Sequence, residues 1–540
     1  MEVYSPQRFA DTLQRTLFSD GQKRTLSGAA DDTVLVNTVD LTIREKALAR
    51  AAWQEIAAIT GLRFLETTGS ADVTYVNDGT STATTRVSYS GSSILRATVN
   101  ISSDRVGSGD GIGSYAFRTY MHETAHALGL GHPQDYDVIR TFSQSDIAND
   151  SWQISIMSYF DQDENTRVNA TYARQITPML ADYLALRDMY GAVPVRVGAT
   201  TYGVNSTAGG ALDKMASLGA MATFLIADTG GWDRVDFSTF AAGQFIDLRP
   251  GAISSVMGAV GNMQIAPGTI IEVAIGGAGG DRLIGNAASN VLDGRGGADR
   301  LEGGLGNDTY YYTAGDTVVE GPSAGLDRML SFGSFALAAN VESGQALGSA
   351  AVTVNGNALN NAIAGNAAAN VLNGLGGNDT LRGGGGNDLY VTNGGDAIIE
   401  QAGAGVDTVR SSVNYALTAH VENLALMGTA VRGIGNALNN AIAGNAAGNV
   451  LNGLGGNDVL TGGGGADQFV FGDGLDRVRD FQDDVDTLMF IGSQLGVSTT
   501  AQAMSHAVQS GSNVIFDFGA DDLIVLNTTI AALQNDVGII

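Results

Sequence analysis

His122-Glu123-Thr124-Ala125-His126-Ala127-Leu128-Gly129-Leu130-Gly131-His132-Pro133 is the stretch around which the chain is organised. It ends a segment, Tyr115 to Leu130, in which Ala, Met, Leu and Glu favour helix and apolar side chains recur at three- and four-residue spacing. His122 and His126 are four apart and stand on one helical face about a turn from each other. Two imidazoles so placed can share one tetrahedral metal ion, and Glu123, beside the first, can reach a water held there. Gly129 can adopt positive φ, end the helix and turn the chain back, so that His132 closes on the same ion from a loop. Three ligands leave a fourth position for water, the open arrangement of a catalytic zinc rather than the closed one of a structural zinc. The whole chain holds five His, and three of them fall in this HExxHxxGxxH pattern, which makes chance a poor explanation. A site that keeps its ligands but no longer cuts is the competing reading.

With these residues in place the sequence resembles the metzincin zinc endopeptidases, and within them the serralysins. Ser155-Ile156-Met157-Ser158-Tyr159 fits the family's Met-turn, and His132-Pro133-Gln134-Asp135-Tyr136 is similar to its stretch after the third ligand. The resemblance implies that Met157 packs beneath the three imidazoles. It also implies that Tyr159 ligates zinc at rest and swings away to steady the transition state. On physical grounds alone, Met157 and Tyr159 fit an ordinary core equally well. The family also implies a substrate-binding edge strand, for which Arg86–Ser90 is the candidate. An unremarkable sheet edge is the equal alternative there.

At 540 residues the chain exceeds what one core holds, so at least two domains are expected. Its 29 basic and 56 acidic residues give a net charge of −27, which argues against a nucleic-acid partner and calls for neutralising cations. Cys is absent, so neither disulfides nor thiolate metal sites exist. No apolar run is long enough for a membrane span. The start of the chain lacks the basic head and apolar core of a secretory signal.

Residues 1–30 are weakly patterned and, by the resemblance, are expected as an N-terminal pro-segment. A zinc protease domain is expected over 31–195. In it Thr42-Ile43-Arg44-Glu45 forms a capping box, and Leu48, Ala51, Ala52 and Ile56 continue an apolar stripe to Gly61. Trp53 lies in that core or beside it. Strand-like pieces follow at Leu62–Glu66, Ala71–Val76, Arg86–Ser90 and Ala97–Ser102. Thr177-Pro178-Met179-Leu180 reads as a Thr-capped helix start with Pro in the first turn, running to Tyr190. Residues 196–275 read as a β-rich lead-in to a calcium domain, with Asp228, Gly230 and Asp233 as candidate calcium contacts.

From Gly276 a nine-residue period sets in. Asp281, Asn290, Asp299 and Asp308 fall nine apart, as do Leu283, Leu292, Leu301 and Tyr310. The block returns with Asn361, Asn370, Asp379 and Asp388, and again with Asn440, Asn449, Asp458 and Asp467. Each nonapeptide reads as a Gly-rich turn and a very short strand, with the Leu inward and carbonyls and a carboxylate at the turn. Stacking sets carboxylates side by side, a repulsion that a divalent cation removes, so the period predicts a parallel β-roll that binds calcium as it folds. The repeats resemble those of RTX proteins. The expected calcium contacts are Gly277, Gly279, Asp281, Gly297, Asp299, Gly306, Asp308, Gly377, Asp379, Gly386, Asp388, Gly456, Asp458, Gly465 and Asp467. Asn in place of Asp brings an oxygen without charge, so those turns should bind less tightly or serve as spacers. The segments between blocks align with each other, Glu320 with Glu400 and Asp327 with Asp407, and their period-two pattern suggests further coils, a side sheet being the alternative.

The sequence thus predicts an α/β metzincin-type domain followed by an all-β parallel roll over 276–490, with a cap and type I export signal over 491–540. The expected cofactors are one catalytic zinc and several structural calcium ions. Weak calcium sites would stand empty at cytosolic calcium levels, so the expected location is outside the cell. The expected partners are protein or peptide substrates, a type I secretion machinery, a periplasmic proteinaceous inhibitor and a cell surface or surface layer. The rival reading is a surface or matrix scaffold, or an adhesive module, with a vestigial zinc site.

Overall fold

The computed structural model describes residues 1–79, 82–102, 104, 106–107 and 110–540. Two units emerge, one of residues 1–308 with 315–318, the other of residues 309–314 with 319–540.

The first unit opens with α1 (Pro6–Leu13), β1 (Thr25–Leu26), β2 (Thr33–Asn37) and α2 (Ile43–Thr60). Strands β3 (Arg63–Glu66), β4 (Val73–Val76), β5 (Thr84–Ser90) and β6 (Ser93–Asn100) follow, then helices α3 (Tyr115–Ala127) and α4 (Leu180–Tyr190). The sheet runs β1-β6-β4-β2-β3, parallel throughout, and β5 joins β6 antiparallel as an edge. The four expected strands correspond to β3–β6 with shifted ends. The short β1 and β2 were not anticipated.

Helix α2 starts on the expected capping box: Thr42 accepts from the Glu45 amide while the Glu45 carboxylate accepts from the Thr42 amide. It stops at Gly61, which adopts φ 76°. Leu48, Ala52, Trp53 and Ile56 form its buried face. Trp53 belongs to the core, and its Nε1 donates to the Tyr75 hydroxyl at 2.8 Å. Thr124 Oγ1 lies 2.6 Å from that hydroxyl and donates onward to the Tyr120 carbonyl. A hydrogen-bonded thread therefore crosses the core from α2 through β4 to α3, each link contributing ~1 kcal/mol net.

The 1–30 stretch, expected as a removable pro-segment, is built into this unit. Phe9, Ala10 and Leu13 of α1 are fully buried, Leu26 pairs with Ile94, and the Gly131 amide donates to the Leu13 carbonyl at 2.7 Å. At α4 the expected Thr177 cap does not form. The Thr177 hydroxyl instead accepts from the Leu225 amide, and the helix begins at Leu180 with Asp182 capping the Met179 amide from inside the first turn.

Later in this unit the nonapeptide strands alternate between two parallel sheets. Thr201–Gly203, Arg234–Asp236, Val273–Ile275 and Val291–Asp293 form one. Phe245–Asp247, Arg282–Ile284 and Arg300–Glu302 form the other. Leu283 pairs with Leu301, two nonapeptides on, and Leu283, Leu292 and Leu301 are fully buried, as the period predicts.

In the second unit the same alternation continues. Arg328–Ser331, Ser343–Ala346, Ala362–Ala364 and Thr380–Arg382 pair in sequence, and Val371–Asn373, Leu389–Thr392, Thr408–Ser411 and Asn423–Leu426 pair in another sheet. The segments between blocks are therefore further coils rather than a side sheet. At the C-terminal end Asp522–Val525 pairs with Leu475–Val478, and Val537–Ile539 with Thr487–Phe490. The antiparallel hairpin of Ala507–Ser510 and Asn513–Asp517 extends the first of these sheets, so the tail covers strand edges that a solenoid would leave open. Among the described residues no helix is long and apolar enough to cross a membrane.

Candidate active site

Ser114 caps α3 by accepting from the Phe117 amide. The helix ends three residues before the expected Leu130. Gly129, at φ 104°, turns the chain, with the Gly129 amide bonded to the His126 carbonyl and the Leu130 amide to the Ala125 carbonyl. A side chain at Gly129 would run into the Arg24 carbonyl, so both the turn and the packing require glycine.

This turn delivers His132 to the helix face. His126 Nε2 and His132 Nε2 lie 3.0 Å apart, and His132 Nε2 lies 3.2 Å from His122 Nε2. Nitrogens on a tetrahedral zinc at ~2.0–2.1 Å stand about 3.3 Å apart, close to the spacing observed. The other ring nitrogens fix the tautomer. His122 Nδ1 lies 2.8 Å from the Ile156 carbonyl and His126 Nδ1 2.7 Å from the Leu130 carbonyl, so each Nδ1 carries the hydrogen and each Nε2 presents a lone pair inward. Facing lone pairs repel, and a cation between them removes that repulsion. Burial favours the neutral, ligating form: it depresses His122 well below the usual imidazole range, His126 to about 4, and His132, with help from His126, to about 2.

Glu123 is buried beside these rings. Its carboxylate lies 2.7 Å from the Thr85 hydroxyl at the start of edge strand β5. The cleft, of about 520 Å³, is lined on one side by Ala83, Thr84 and Thr85, and elsewhere by Glu123, His126, His132, Tyr136 and Tyr159. The lining part of the edge strand is thus its N-terminal end, just before the expected Arg86–Ser90. Tyr159 is half-exposed, its ring centre 4.6 Å from that of His132, and it stacks on Tyr136 at 4.4 Å and 11°. Burial, followed by the charge of Glu123, raises the Tyr159 phenol above its usual range, so it stays a hydrogen-bond donor. Tyr136 in turn donates to the buried Asp150 carboxylate at 2.7 Å.

The Ser155–Tyr159 turn is clasped from two sides, and neither clasp was legible in the sequence. Asp182, fully buried, accepts from the Ser155 hydroxyl at 2.6 Å and the Ile156 amide at 2.7 Å. Arg118, also buried, donates to the Ile156 and Ser158 carbonyls and lies over the Trp152 ring. Because the Ile156 carbonyl orients His122, these two residues set the position of that imidazole from a distance. Met157 is fully buried in the same turn.

Two kinds of nonapeptide turn are distinguished by their side-chain bonds. Asp379 Oδ1 accepts from the Asn361 amide and Asp388 Oδ1 from the Asn370 amide, while the Oδ2 atoms of both are buried without a partner. Oδ2 of Asp299, Asp458 and Asp467 is in the same state. Buried orphan oxygens of this kind are uncommon and suit a hard cation bound by carboxylates and Gly-turn carbonyls. Gly297, Gly306, Gly377, Gly386, Gly456 and Gly465 all have positive φ in these turns, whereas Gly277 and Gly279 do not. At the Asn positions the side-chain amide closes the turn by itself. Asn440 Nδ2 donates to the Val421 and Glu422 carbonyls, and Asn449 Nδ2 to the Ala430 carbonyl. Asp281 is also satisfied internally, accepting from the Gln244 and Gly277 amides. Asp308 lies buried in its turn and accepts from the Asn290 amide. In the lead-in, Asp228 accepts from Tyr202 and from the Gly230 amide. Asp233 has one buried orphan oxygen near Asp228 and Glu272, and burial followed by those two charges pushes it up to about 6.

The family profile described as Peptidase M10 serralysin C terminal matches residues 192–334, and that of the RTX calcium-binding nonapeptide repeat matches 355–398 and 434–478. Metalloprotease AprA of Pseudomonas entomophila is 35% identical over 269 residues, 47% of this chain and 55% of that protein. Serralysin C of Dickeya chrysanthemi is 38% identical over 268 residues, again 47% and 55%. Serralysin of Proteus mirabilis is 40% identical over 186 residues, 34% of this chain and 38% of the relative. The chain thus spans about half, or less, of the length of these relatives. Among solved structures, an extracellular lipase of Serratia marcescens aligns with 37% of this chain at 19% identity and a TM-score of 0.21, too low to bear on the fold.

Proposed function

We propose that this serralysin-like chain, which carries RTX calcium-binding repeats, is a secreted zinc endopeptidase that cleaves extracellular or surface proteins. The observation that carries the reading is the convergence of three Nε2 lone pairs, with tautomers fixed from behind, next to a buried carboxylate in an open cleft. His122, His126 and His132 would hold the metal, and Tyr159, whose ring lies against those of His122 and His132, would join them. When bound there, zinc supplies Lewis acidity, activating water and polarising the scissile carbonyl.

The chain's own groups account for the remaining steps. An extended peptide lies against the exposed edge of β5 by backbone pairing, which tolerates many sequences. Glu123 takes the proton from the attacking water and passes it to the leaving amine, and Thr85 holds its carboxylate in one rotamer meanwhile. Tyr159, kept protonated, donates to the developing oxyanion.

The calcium roll would fold only where calcium is plentiful, in keeping with secretion. We keep the division into a protease domain, a β-rich lead-in, a roll and a capped tail carrying the export signal. Type I export, a proteinaceous inhibitor and surface attachment by the extra coils belong to the same proposal. A surface scaffold with a vestigial zinc site is the second reading, favoured by the coils between the repeat blocks. Hydrolysis of an unfolded protein substrate by chain refolded in calcium, with and without a zinc-selective chelator, separates them. Chelator-sensitive cleavage is expected; no cleavage by zinc-loaded chain would favour the scaffold.

A further inference from the structure

The loop that follows His132 folds back onto a buried carboxylate. Asp150 is wholly buried, and its side chain accepts from two neutral groups of that loop. One is Gln134 Nε2; the other is the Tyr136 hydroxyl, at 2.7 and 3.0 Å from the two carboxylate oxygens. A hydrogen bond to an ionised acceptor is roughly twice as strong as a neutral one, so this bond fixes the far end of Tyr136. The ring itself is held at its edge by Phe160, 5.4 Å away between ring centres and at 89°, within a buried cluster that includes Phe142. On this fixed ring lies Tyr159, nearly parallel at 4.4 Å and 11°. Tyr159 is 51% exposed, and its ring centre stands 4.6 Å from that of His132 and 5.7 Å from that of His122. A side chain so exposed has rotamers to choose from, and among the described residues Tyr136 is the one tyrosine or phenylalanine ring stacked on it.

We propose that Tyr136, clamped by Asp150, is a positioning residue for Tyr159: a shelf that keeps this phenol beside the imidazoles and confines its movement to one plane. The inference rests on the proposed reading of His122, His126 and His132 as zinc ligands, with Tyr159 joining them. Stacked rings keep most of their contact when one slides over the other, and lose it when one tilts away. Tyr159 can therefore shift its hydroxyl between the imidazoles and the cleft while its ring stays on Tyr136. Without the shelf the exposed ring takes up other rotamers, and the hydroxyl leaves the imidazoles for part of the time. The shelf also ties together the two turns of the site. Tyr136 is four residues from His132 and its ring centre is 5.3 Å from that imidazole, so one short loop places both the third histidine and the shelf. Tyr159 arrives from the other turn, and the stack is where the two meet.

The test uses the full chain loaded with copper(II) in place of zinc, because a phenolate on copper gives a visible charge-transfer absorption. Wild type, Tyr159→Phe, Tyr136→Leu and Tyr136→Phe are compared for that band and for copper bound per chain. The zinc-loaded forms are compared for kcat and KM on one peptide. Wild type should show the band and Tyr159→Phe should lack it. Tyr136→Leu should weaken the band at least twofold at one copper per chain. Its kcat should fall by roughly 2- to 12-fold, the worth of one aromatic pair, with KM unchanged. Tyr136→Phe keeps the ring and should restore most of both. An undiminished band in Tyr136→Leu overturns the proposal while leaving the metal site intact. Copper lost in step with the band also overturns it, since the residue would then hold the imidazoles rather than the phenol. A wild-type chain that binds copper without the band overturns it together with the ligand role of Tyr159, and one that binds no metal overturns it with the proposed function. If Tyr136→Leu does not fold, Asp150→Asn decides. That variant keeps an acceptor and the volume but loosens the hold on Tyr136, so a weaker band supports the shelf and an undiminished one overturns it.

Discussion

Thr85→Val tests whether the edge strand proposed to bind substrate also positions Glu123. The Thr85 hydroxyl lies 2.7 Å from a Glu123 carboxylate oxygen and 3.0 Å from the Glu123 carbonyl, and valine replaces it with a group of the same shape that cannot donate. A hydrogen bond to a charged acceptor is worth ~1.5–3 kcal/mol net. If that bond sets the rotamer from which Glu123 takes its proton, kcat should fall by roughly 10- to 100-fold. KM should change little, since backbone pairing along β5 does not need this side chain. Zinc content should stay at the wild-type level, because no imidazole or Nδ1 partner is touched. Thr85→Ser should restore most of the rate. Steady-state kinetics on one peptide, with zinc measured on the same samples, gives all three numbers. A Thr85→Val rate within twofold of wild type would refute the positioning role, as would a loss of zinc that by itself explained the fall.

Tyr159→Phe keeps the ring that stacks on Tyr136 but removes the donor, so kcat should drop about 100-fold or more with the zinc retained, measured by single-turnover cleavage. Glu55, almost wholly buried, has its carboxyl pushed up to about 7 from 4.5, chiefly by burial, although it accepts from the Ala211 amide. The folded state holds that proton more tightly than the unfolded one, so the group's favourable contribution is full below about pH 4.5 and is lost as the pH rises towards 7. Glu55→Gln keeps the acceptor and should stabilise the first unit by ~3 kcal/mol near pH 8 and hardly at all near pH 4, as read from urea midpoints. Removing calcium should abolish most of the far-UV circular dichroism of residues 276–490, while magnesium at the same concentration should not restore it.

Legibility in the sequence followed how local the physics is. The Thr42–Glu45 box, the Gly61 stop, the histidine spacing and the inward Leu of each nonapeptide are encoded within one turn or one period, and the structure places them accordingly. Asp182, Arg118, Thr85 and Asp150 were not foreseen because their partners lie far along the chain: Asp182 is 26 residues from Ile156, and Thr85 is 38 from Glu123. A buried charge gives no periodic signal. The Thr177 cap was misread for the same reason, since its hydroxyl is taken by Leu225, 48 residues away. The first thirty residues looked unpatterned because α1 buries only one narrow face. Asn in the repeats was read correctly as uncharged, but its Nδ2 bonds to preceding coils became visible only in three dimensions.

The most direct test of the account is Glu123→Gln, assayed for zinc content and for hydrolysis of an unfolded protein in millimolar calcium. In the proposed reading three imidazoles would hold the metal and Glu123 would not, so the account predicts one zinc per chain, as in wild type, with turnover reduced by several orders of magnitude. Zinc and activity lost together, or activity kept, would contradict the division of labour between the histidines and Glu123.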